Sequence, residues 1–154
     1  MSAEAKLREL GIQLKDVQVG DRPLIPWVLT GNLLYTSGSG PSFSGKKWSG
    51  QLGTDYTAEE GYEAARDTAL QLLSTVRTAL GSLDRVRRVV KVLGMVNSAP
   101  GFSQQPQVIN GCSELLVQLF GENGRHARSA VGMAGLPGNI PVEIEIIFEV
   151  EPQG

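Results

Sequence analysis

The sequence predicts an α+β domain in which one mixed β-sheet carries two helices packed on one face. Two amphipathic segments have helical spacing, strand-like runs lie before, between and after them, and the resulting order reads ββ-α-β-α-ββ. The chain of 154 residues, 41% hydrophobic and 19% charged, suits a single domain over 1–154. Apart from the approximate β-α-β symmetry, no repeat or linker divides it.

The net charge and the hydropathy of the sequence limit the kinds of partner that the protein is expected to bind. The net charge of −2 gives no broad attraction for nucleic acid or anionic lipid. No apolar run approaches the roughly 20 residues that span a bilayer, and "MSAEAKLREL" does not resemble a signal-peptide core. The single cysteine agrees with a reducing compartment. We therefore expect a cytoplasmic protein with no nucleic-acid or membrane partner.

The N-terminal third predicts a short helix, strands and a loop. Ser2 can cap a peripheral helix within 1–11 that Gly11 ends. The runs "IQLKDVQVG" and "WVLTGNLLYTSG" read as strands, and Gly31-Asn32 is placed for the turn of a hairpin. The Gly- and Ser-rich stretch from Gly38 to Asp55 predicts a long loop.

The central part predicts two helices around one strand. Thr57 and Glu60 have the spacing of a capping box, and apolar residues then recur at threes and fours until Gly81. A second amphipathic helix is expected over about 105–120. Between them, "RVRRVVKVLGMV" predicts a strand with these valines on one face: Val86, Val90, Val92 and Val96.

The last two strands, 127–134 and 142–150, are joined by "GLPGNIP", which we interpret as a hairpin connection. In the final strand one face is apolar and should meet the helices; its members are Val142, Ile144, Ile146, Phe148 and Val150. The other face carries Glu143, Glu145, Ile147, Glu149 and Glu151. That acidic face is either solvated or turned toward partner subunits, and alternation alone favours the solvated state.

Four further features each have two interpretations. Arg128 is either a surface ion-pair partner or, in a cleft, a planar fork for a carboxylate. His126 is either an exposed polar strand end or a catalytic acid. Cys112 lies on the apolar side of its helix, which favours a core thiol over a nucleophile. A basic cluster that alternation divides between two faces favours a solvated strand edge over an RNA site; it comprises Arg85, Arg87, Arg88 and Lys91.

The C-terminal run "ARSAVGMAGLPGNIPVEIEIIFEV" resembles the signature of the RidA/YjgF/YER057c/UK114 family, with its Arg, Leu-Pro and V-E-I-E strand. The resemblance extends through "GNLLYTSG", the block beginning "EEGYEAAR" and "VINGCSELLVQLFG". The Gly-rich loop and "EEGYEAAR" are similar to a branch whose members are longer. The resemblance implies a chorismate-mutase-like fold and a homotrimer with a barrel-like core and a small-molecule cleft at each subunit interface.

The activity that the resemblance implies is hydrolysis of reactive 2-imino acids, formed from enamines such as 2-aminoacrylate, to 2-keto acids and ammonia. No metal or cofactor is needed, because an imine carbon is already electrophilic. Carried over by position, Arg128 would hold the substrate carboxylate with help from backbone N–H groups around Ser37 and Gly38. Glu143 would orient or deprotonate the attacking water, of which orientation is favoured, and the carbonyl of Ala130 would be the second acceptor.

Other positions follow the family or depart from it. Asn110 matches an Asn near the cleft in relatives. Ala130 stands where a Cys is common, Trp27 is offered where many relatives have a cleft tyrosine, and His126 replaces Pro or Ala. The leading hypothesis is an imine deaminase; the alternative is a non-catalytic trimer that binds small carboxylates or partner proteins, and a ribonuclease is third.

Overall fold

Three α-helices and five β-strands form the fold of residues 1–153, the part of the chain that the computed structural model describes. The helices are α1 (Ala3–Glu9), α2 (Ala58–Leu80) and α3 (Gln105–Phe120). The strands are β1 (Trp27–Thr30), β2 (Leu33–Thr36), β3 (Val86–Asn97), β4 (Ala127–Met133) and β5 (Val142–Val150). The strands form one mixed sheet whose helix-side face packs against α2 and α3, which confirms the predicted class.

The two long helices begin and pack as their sequences dictate. Both hydrogen bonds of the predicted capping box are present between Thr57 and Glu60, and the apolar side of α2 is buried. The helices cross closely at Gly111, where a Cβ atom would overlap the Tyr62 carbonyl, with the carbonyl carbon at 2.9 Å. Only glycine permits this approach. The crossing places the next turn of α3 over the edge of the sheet.

The strand order is β1-β2-β5-β3-β4, with β3 and β4 parallel and every other pair antiparallel. The predicted hairpin between the last two strands is therefore wrong, because β3 lies between them. β5 buries all five apolar side chains of its helix-side face and takes a central position. β4 is more exposed and lies at the edge, so the more apolar strand occupies the interior.

Two irregularities in β3 correct its predicted alternation. The register against β5 shifts between Val86 and Arg88 and again between Val89 and Lys91. An extra residue in a bulge moves the following side chains to the other face. Val89 is therefore fully buried, and Val90 is only half-buried. From Lys91 onward the alternation is regular, and Val92 and Val96 face the helices as predicted.

The segment before the first hairpin is not the strand that "IQLKDVQVG" predicts. Its backbone N–H groups at Lys15 and Val17 donate to the side chains of Ser74 and Thr78 on α2. These hydrogen bonds satisfy an extended segment without a neighbouring strand. The hairpin itself is confirmed, with β1 and β2 joined at Gly31-Asn32.

The predicted long loop, 38–55, is held by a buried amide at the end of β3. Asn97 is fully buried; its Oδ1 accepts from Gln51 Nε2 at 3.2 Å, and its Nδ2 donates to Asn139 Oδ1 at 3.1 Å. The backbone of Leu52 also donates to the Asn97 carbonyl. The loop is thus fastened to the connection between β4 and β5.

Within the described residues, no helix combines the length and apolar composition needed to cross a bilayer.

Candidate active site

The predicted site residues fall into two groups on different parts of the sheet. One group, called here the Arg half-site, consists of Arg128, Asn110, Ser113 and His126, with Ala130 beside it. The other, the Glu half-site, consists of Glu143, Ser37 and Gly38. Sequence reasoning predicted members of both groups, and the structure shows that the two groups do not meet within one chain.

Arg128 lies on edge strand β4, in register with Val92, and its side chain extends from the helix-side face toward α3. Its Nη1 atom donates to Asn110 Oδ1 at 2.8 Å and to Ser113 Oγ at 3.1 Å. Asn110 and Ser113 are three residues apart on α3 and so share one face of the helix. Ala130 follows Arg128 on the same face of β4, in register with Gly94.

The positive charge of Arg128 has no counter-ion among residues 1–153. Both of its acceptors are neutral oxygens, and both bond to the same guanidinium nitrogen. The side chain is half-buried. It is therefore not a surface ion-pair partner within the chain, and its other N–H groups remain for an anion with two acceptor oxygens.

His126 is held at both ring nitrogens. Nδ1 lies 2.6 Å from the carbonyl oxygen of Gly124, and Nε2 lies 2.9 Å from Ser113 Oγ. A carbonyl can only accept, so Nδ1 carries hydrogen, and in the neutral ring Nε2 accepts the Ser113 hydroxyl proton. Burial lowers the pKa of His126, the Gly124 hydrogen bond raises it, and the nearby charge of Arg128 lowers it. The expectation of an exposed strand end is wrong, because the ring is half-buried and bonds Ser113 on α3.

Ser113 and Gly124 were not among the residues that the sequence predicted for the site. Ser113 could have been found from its spacing, since it lies one helical turn after Asn110 and on the same side. The Gly124 carbonyl has no side-chain signal, and its position depends on the 3₁₀ turn Gly121–Gly124. Cys112, beside Ser113 in sequence, is fully buried, and burial raises its thiol pKa to about 12, as a core thiol requires.

The Glu half-site is formed where β5 passes the chain that leaves β2. Glu143 lies on the face of the sheet opposite the helices, half-buried, with its carboxylate against Gly38. A Cβ atom at Gly38 would overlap that carboxylate, with Glu143 Cδ at 3.1 Å and Cγ at 3.2 Å. The absence of a side chain at Gly38 therefore makes the space that the carboxylate occupies. Glu143 has no side-chain hydrogen bond to any described residue.

The backbone around Ser37 modifies one expectation. The N–H of Ser37 donates to the Pro26 carbonyl, and that of Ser39 donates to the Ile144 carbonyl, each at 2.9 Å. The Ser37 hydroxyl donates to the Ile25 carbonyl at 2.6 Å. Gly38 is the residue of the three whose N–H has no acceptor among residues 1–153. The predicted backbone donor is thus Gly38, and not Ser37.

Two other observations limit which residues can contribute to one site. Trp27 pairs with Thr36 on the helix-side face of β1 and packs against the core, so it does not lie beside Glu143. Arg128 is in register with Val92 and, through it, with Ile146, three residues from Glu143 and two strands away. Strand spacing and rise separate the two Cα atoms by about 14 Å. Their side chains also leave opposite faces, so one small substrate cannot touch both within one chain.

The acid and base content does not form a metal site: among the described residues, no three His, Cys, Asp or Glu side chains lie close enough together to hold an ion.

Known proteins share this fold and sequence. Protein TCP17 of Trypanosoma cruzi is 45% identical over 148 residues, which span 95% of this chain and 92% of that protein. A solved protein of unknown function from Agrobacterium tumefaciens is 44% identical with a TM-score of 0.86, covering 96% of this chain and 91% of that one. The crystal structure of a putative endoribonuclease from Shewanella oneidensis is 32% identical with a TM-score of 0.91, covering 97% of this chain and 100% of that one.

The family match spans nearly the whole described chain. Residues 4–148 match the family described as "YjgF/chorismate mutase-like, putative endoribonuclease". Together with the fold and with the identity to the Trypanosoma protein, this match shows that the chain belongs to the YjgF/chorismate mutase-like family, the RidA/YjgF/YER057c/UK114 family that its sequence resembles.

Proposed function

We propose that the protein hydrolyses reactive 2-imino acids to 2-keto acids and ammonia, in a cleft formed by the Arg half-site of one chain and the Glu half-site of another. The observation that carries the proposal is the uncompensated charge of Arg128. A half-buried guanidinium that bonds only neutral oxygens retains its attraction for an anion. The carboxylate of a 2-imino acid matches its remaining N–H groups.

A second chain is needed because Arg128 and Glu143 leave opposite faces of one sheet. The face of the sheet opposite the helices exposes several apolar side chains. Val28, Tyr35 and Val131 are 50%, 41% and 39% exposed. These side chains lie on the same face as Glu143, by the register of β1, β2 and β4. A sheet face with exposed apolar side chains on three strands beside the acidic residues of β5 is typical of an interface between subunits. It supports the homotrimer that the family resemblance implies.

The chemistry requires few groups. Water adds to the electrophilic C=N carbon, a proton moves to nitrogen, and the tetrahedral adduct expels ammonia to leave the keto acid. Arg128 fixes the substrate through its carboxylate, and Glu143 accepts a hydrogen bond from the attacking water. The Gly38 N–H and the Ala130 backbone, on opposite halves of the cleft, would complete the positioning. Each 1.36 kcal/mol by which this arrangement lowers the barrier gives about a tenfold rate increase.

A ribonuclease receives less support, although the Shewanella oneidensis protein is described as a putative endoribonuclease. Within the basic cluster at the start of β3, two of the four side chains are engaged in hydrogen bonds to backbone carbonyls. Arg85 donates to the carbonyls of Leu80 and Pro152, and Arg88 donates to the carbonyl of Arg125. Side chains engaged in this way are poorly placed to follow a phosphate backbone.

The test is keto acid release. An amino acid oxidase generates 2-iminobutyrate in situ, and release of 2-oxobutyrate is followed with wild type, Arg128→Ala and the control Arg125→Ala. Arg125 is an exposed arginine paired with Glu122. We expect wild type and Arg125→Ala to accelerate release and Arg128→Ala to lose about 100-fold or more in kcat/KM, as removal of a charged anchor does. Carboxylate binding without acceleration by wild type would instead establish the non-catalytic alternative.

A further inference from the structure

A continuous chain of hydrogen bonds leads from the protein backbone to Arg128. The Gly124 carbonyl accepts from His126 Nδ1, His126 Nε2 accepts from the Ser113 hydroxyl, and Ser113 Oγ accepts from Arg128 Nη1. With the ring neutral, each step has a defined direction, because the carbonyl at one end can only accept and the guanidinium at the other can only donate; protonation of His126 reverses only the bond to Ser113, whose oxygen then accepts from both neighbours. His126 is also the only histidine in the sequence.

The direction of this chain determines what Ser113 can offer. When its proton is committed to neutral His126, both lone pairs of its oxygen remain, and one accepts from Arg128. Without His126 the hydroxyl would be free to rotate and to donate to the preceding turn of α3, as serine does in helices. The ring therefore selects the hydroxyl orientation that holds the guanidinium.

We propose that Ser113 and His126 are positioning residues for Arg128, and that His126 couples carboxylate binding at Arg128 to the uptake of a proton. The inference rests on the proposed role of Arg128 as the carboxylate anchor. When protonated, His126 adds a second positive charge near the anion site. It acts through Arg128 and does not touch the substrate.

The charged groups around His126 support this coupling. On β4 the ring faces Arg128, and α3 presents neutral Ser113, since the next acid, Glu114, bonds Tyr62 on α2. On β3, Arg88 reaches the carbonyl of Arg125, and the 3₁₀ turn carries the exposed pair of Glu122 and Arg125. The direct electrostatic neighbour of the ring is therefore a cation without a counter-ion.

The sign of the coupling follows from that arrangement. In the free protein, burial and the charge of Arg128 hold the pKa of His126 below its ordinary value. A carboxylate bound to Arg128 offsets the repulsion and raises that pKa. By linkage, the protonated protein binds the carboxylate more tightly, so affinity increases as the pH falls through the pKa of His126.

The single histidine makes the test direct. Nitrogen and carbon NMR of ¹³C,¹⁵N-labelled protein reports the tautomer and pKa of His126 without assignment ambiguity. We expect the Nδ1–H tautomer and a pKa below the ordinary value in the free protein, and a rise of that pKa when 2-oxobutyrate is added. The dissociation constant of 2-oxobutyrate should decrease about three- to tenfold as the pH falls from above to below the measured pKa of His126, the size of a typical coupling between neighbouring charges.

Two sets of variants separate positioning from a structural role. Arg128→Gln should raise the pKa of His126 in the free protein and remove the response to 2-oxobutyrate. Ser113→Ala should raise KM several-fold with little change in kcat, and Ser113→Thr, which restores the hydroxyl, should recover it. Ser103→Ala, at an exposed serine before α3, serves as the control.

The outcomes distinguish this inference from the proposed function. An Nε2–H tautomer, or a His126 pKa that responds to neither Arg128→Gln nor 2-oxobutyrate, would overturn the inference even if keto acid release depended on Arg128. A full response of His126 without any acceleration of imine hydrolysis would support the inference and refute the catalytic proposal. Absence of 2-oxobutyrate binding would overturn both.

Discussion

The Arg half-site and the Glu half-site hold their charged groups in different ways. Arg128 is fixed by hydrogen bonds to two side chains of α3, and one of these, Ser113, is itself fixed by His126. Glu143 has no side-chain hydrogen bond to a described residue and is placed by its strand and by the space above Gly38. One half-site is a rigid anchor, and the other is a carboxylate with unused acceptor oxygens.

This difference corresponds to the two tasks of a hydrolytic site. A substrate anchor works best when its geometry is set before the ligand arrives, because no ordering cost remains to be met. A group that holds water needs vacant acceptor positions, which internal hydrogen bonds would occupy. The contrast therefore supports the assignment of carboxylate binding to Arg128 and of water positioning to Glu143, and four experiments can break or sharpen it.

The largest effect is expected at Glu143. Glu143→Gln keeps the shape of the side chain but weakens its acceptor capacity, so we expect kcat for 2-iminobutyrate hydrolysis to fall about 10²- to 10⁴-fold, the usual contribution of a positioned base. Glu145→Gln is the control, since Glu145 is the next acid on the same face of β5 and is exposed. A Glu143→Gln variant with wild-type kcat would remove the carboxylate from the mechanism.

Mixing two inactive variants tests whether the half-sites come from different chains. In a trimer assembled at random from Arg128→Ala and Glu143→Gln chains, each interface retains both wild-type groups about one time in four if the contact is head-to-tail. The unfractionated mixture should therefore recover about a quarter of wild-type activity, and mixed trimers purified away from both homotrimers about a third, because each holds one intact site among three; the separate variants should recover none. Differently tagged chains, refolded together and purified through both tags, provide the sample. Recovery of no activity in verified mixed trimers would contradict a site shared between chains.

Local sequence signals predicted those parts of the fold that depend on neighbouring residues. The capping box at Thr57 and the alternation in β5 were confirmed because each follows from the local geometry of its own helix or strand. The pairing of β4 with β3 was not predicted, because a long connection leaves several strand orders open. The same limit applied to Val90, whose face is decided by a bulge, and to the segment 12–20, whose hydrogen bonds go to side chains of α2.

The site shows the same division. Arg128 and Glu143 were found from a motif, but their separation within one chain depends on strand order, which no local pattern encodes. His126 was expected to be exposed because its own strand position gives no sign of a contact with α3. Its contact with Ser113 joins residues 13 positions apart that come from different elements. The strand positions of these residues were thus more predictable than the network that orients them.

A smaller effect is expected when Arg128 receives a counter-ion. Asn110→Asp places a carboxylate at nearly the same position as the amide oxygen that now accepts from Arg128 at 2.8 Å. This carboxylate should compete with the substrate for the guanidinium and raise KM about tenfold, as a charge-assisted hydrogen bond would. Asn110→Ala should have a weaker effect. If Arg128 served only to join β4 to α3, Asn110→Asp would instead stabilise the protein without changing KM, which thermal unfolding and kinetics together would show.

The smallest effect is expected at Gly38, and it addresses the looser half-site. An alanine Cβ would overlap the Glu143 carboxylate, which can rotate away because it has no internal hydrogen bond. Such a shift costs about 0.5 to 1.5 kcal/mol, so kcat should fall about two- to tenfold with little loss of stability. Gly135→Ala is the matched control, since a Cβ there meets no atom within 4 Å. If Gly38→Ala left kcat unchanged while Glu143→Gln abolished it, the position of the carboxylate would matter less than its charge. The two half-sites would then also differ in how well they tolerate small changes, because the Asn110→Asp exchange beside Arg128 is expected to raise KM.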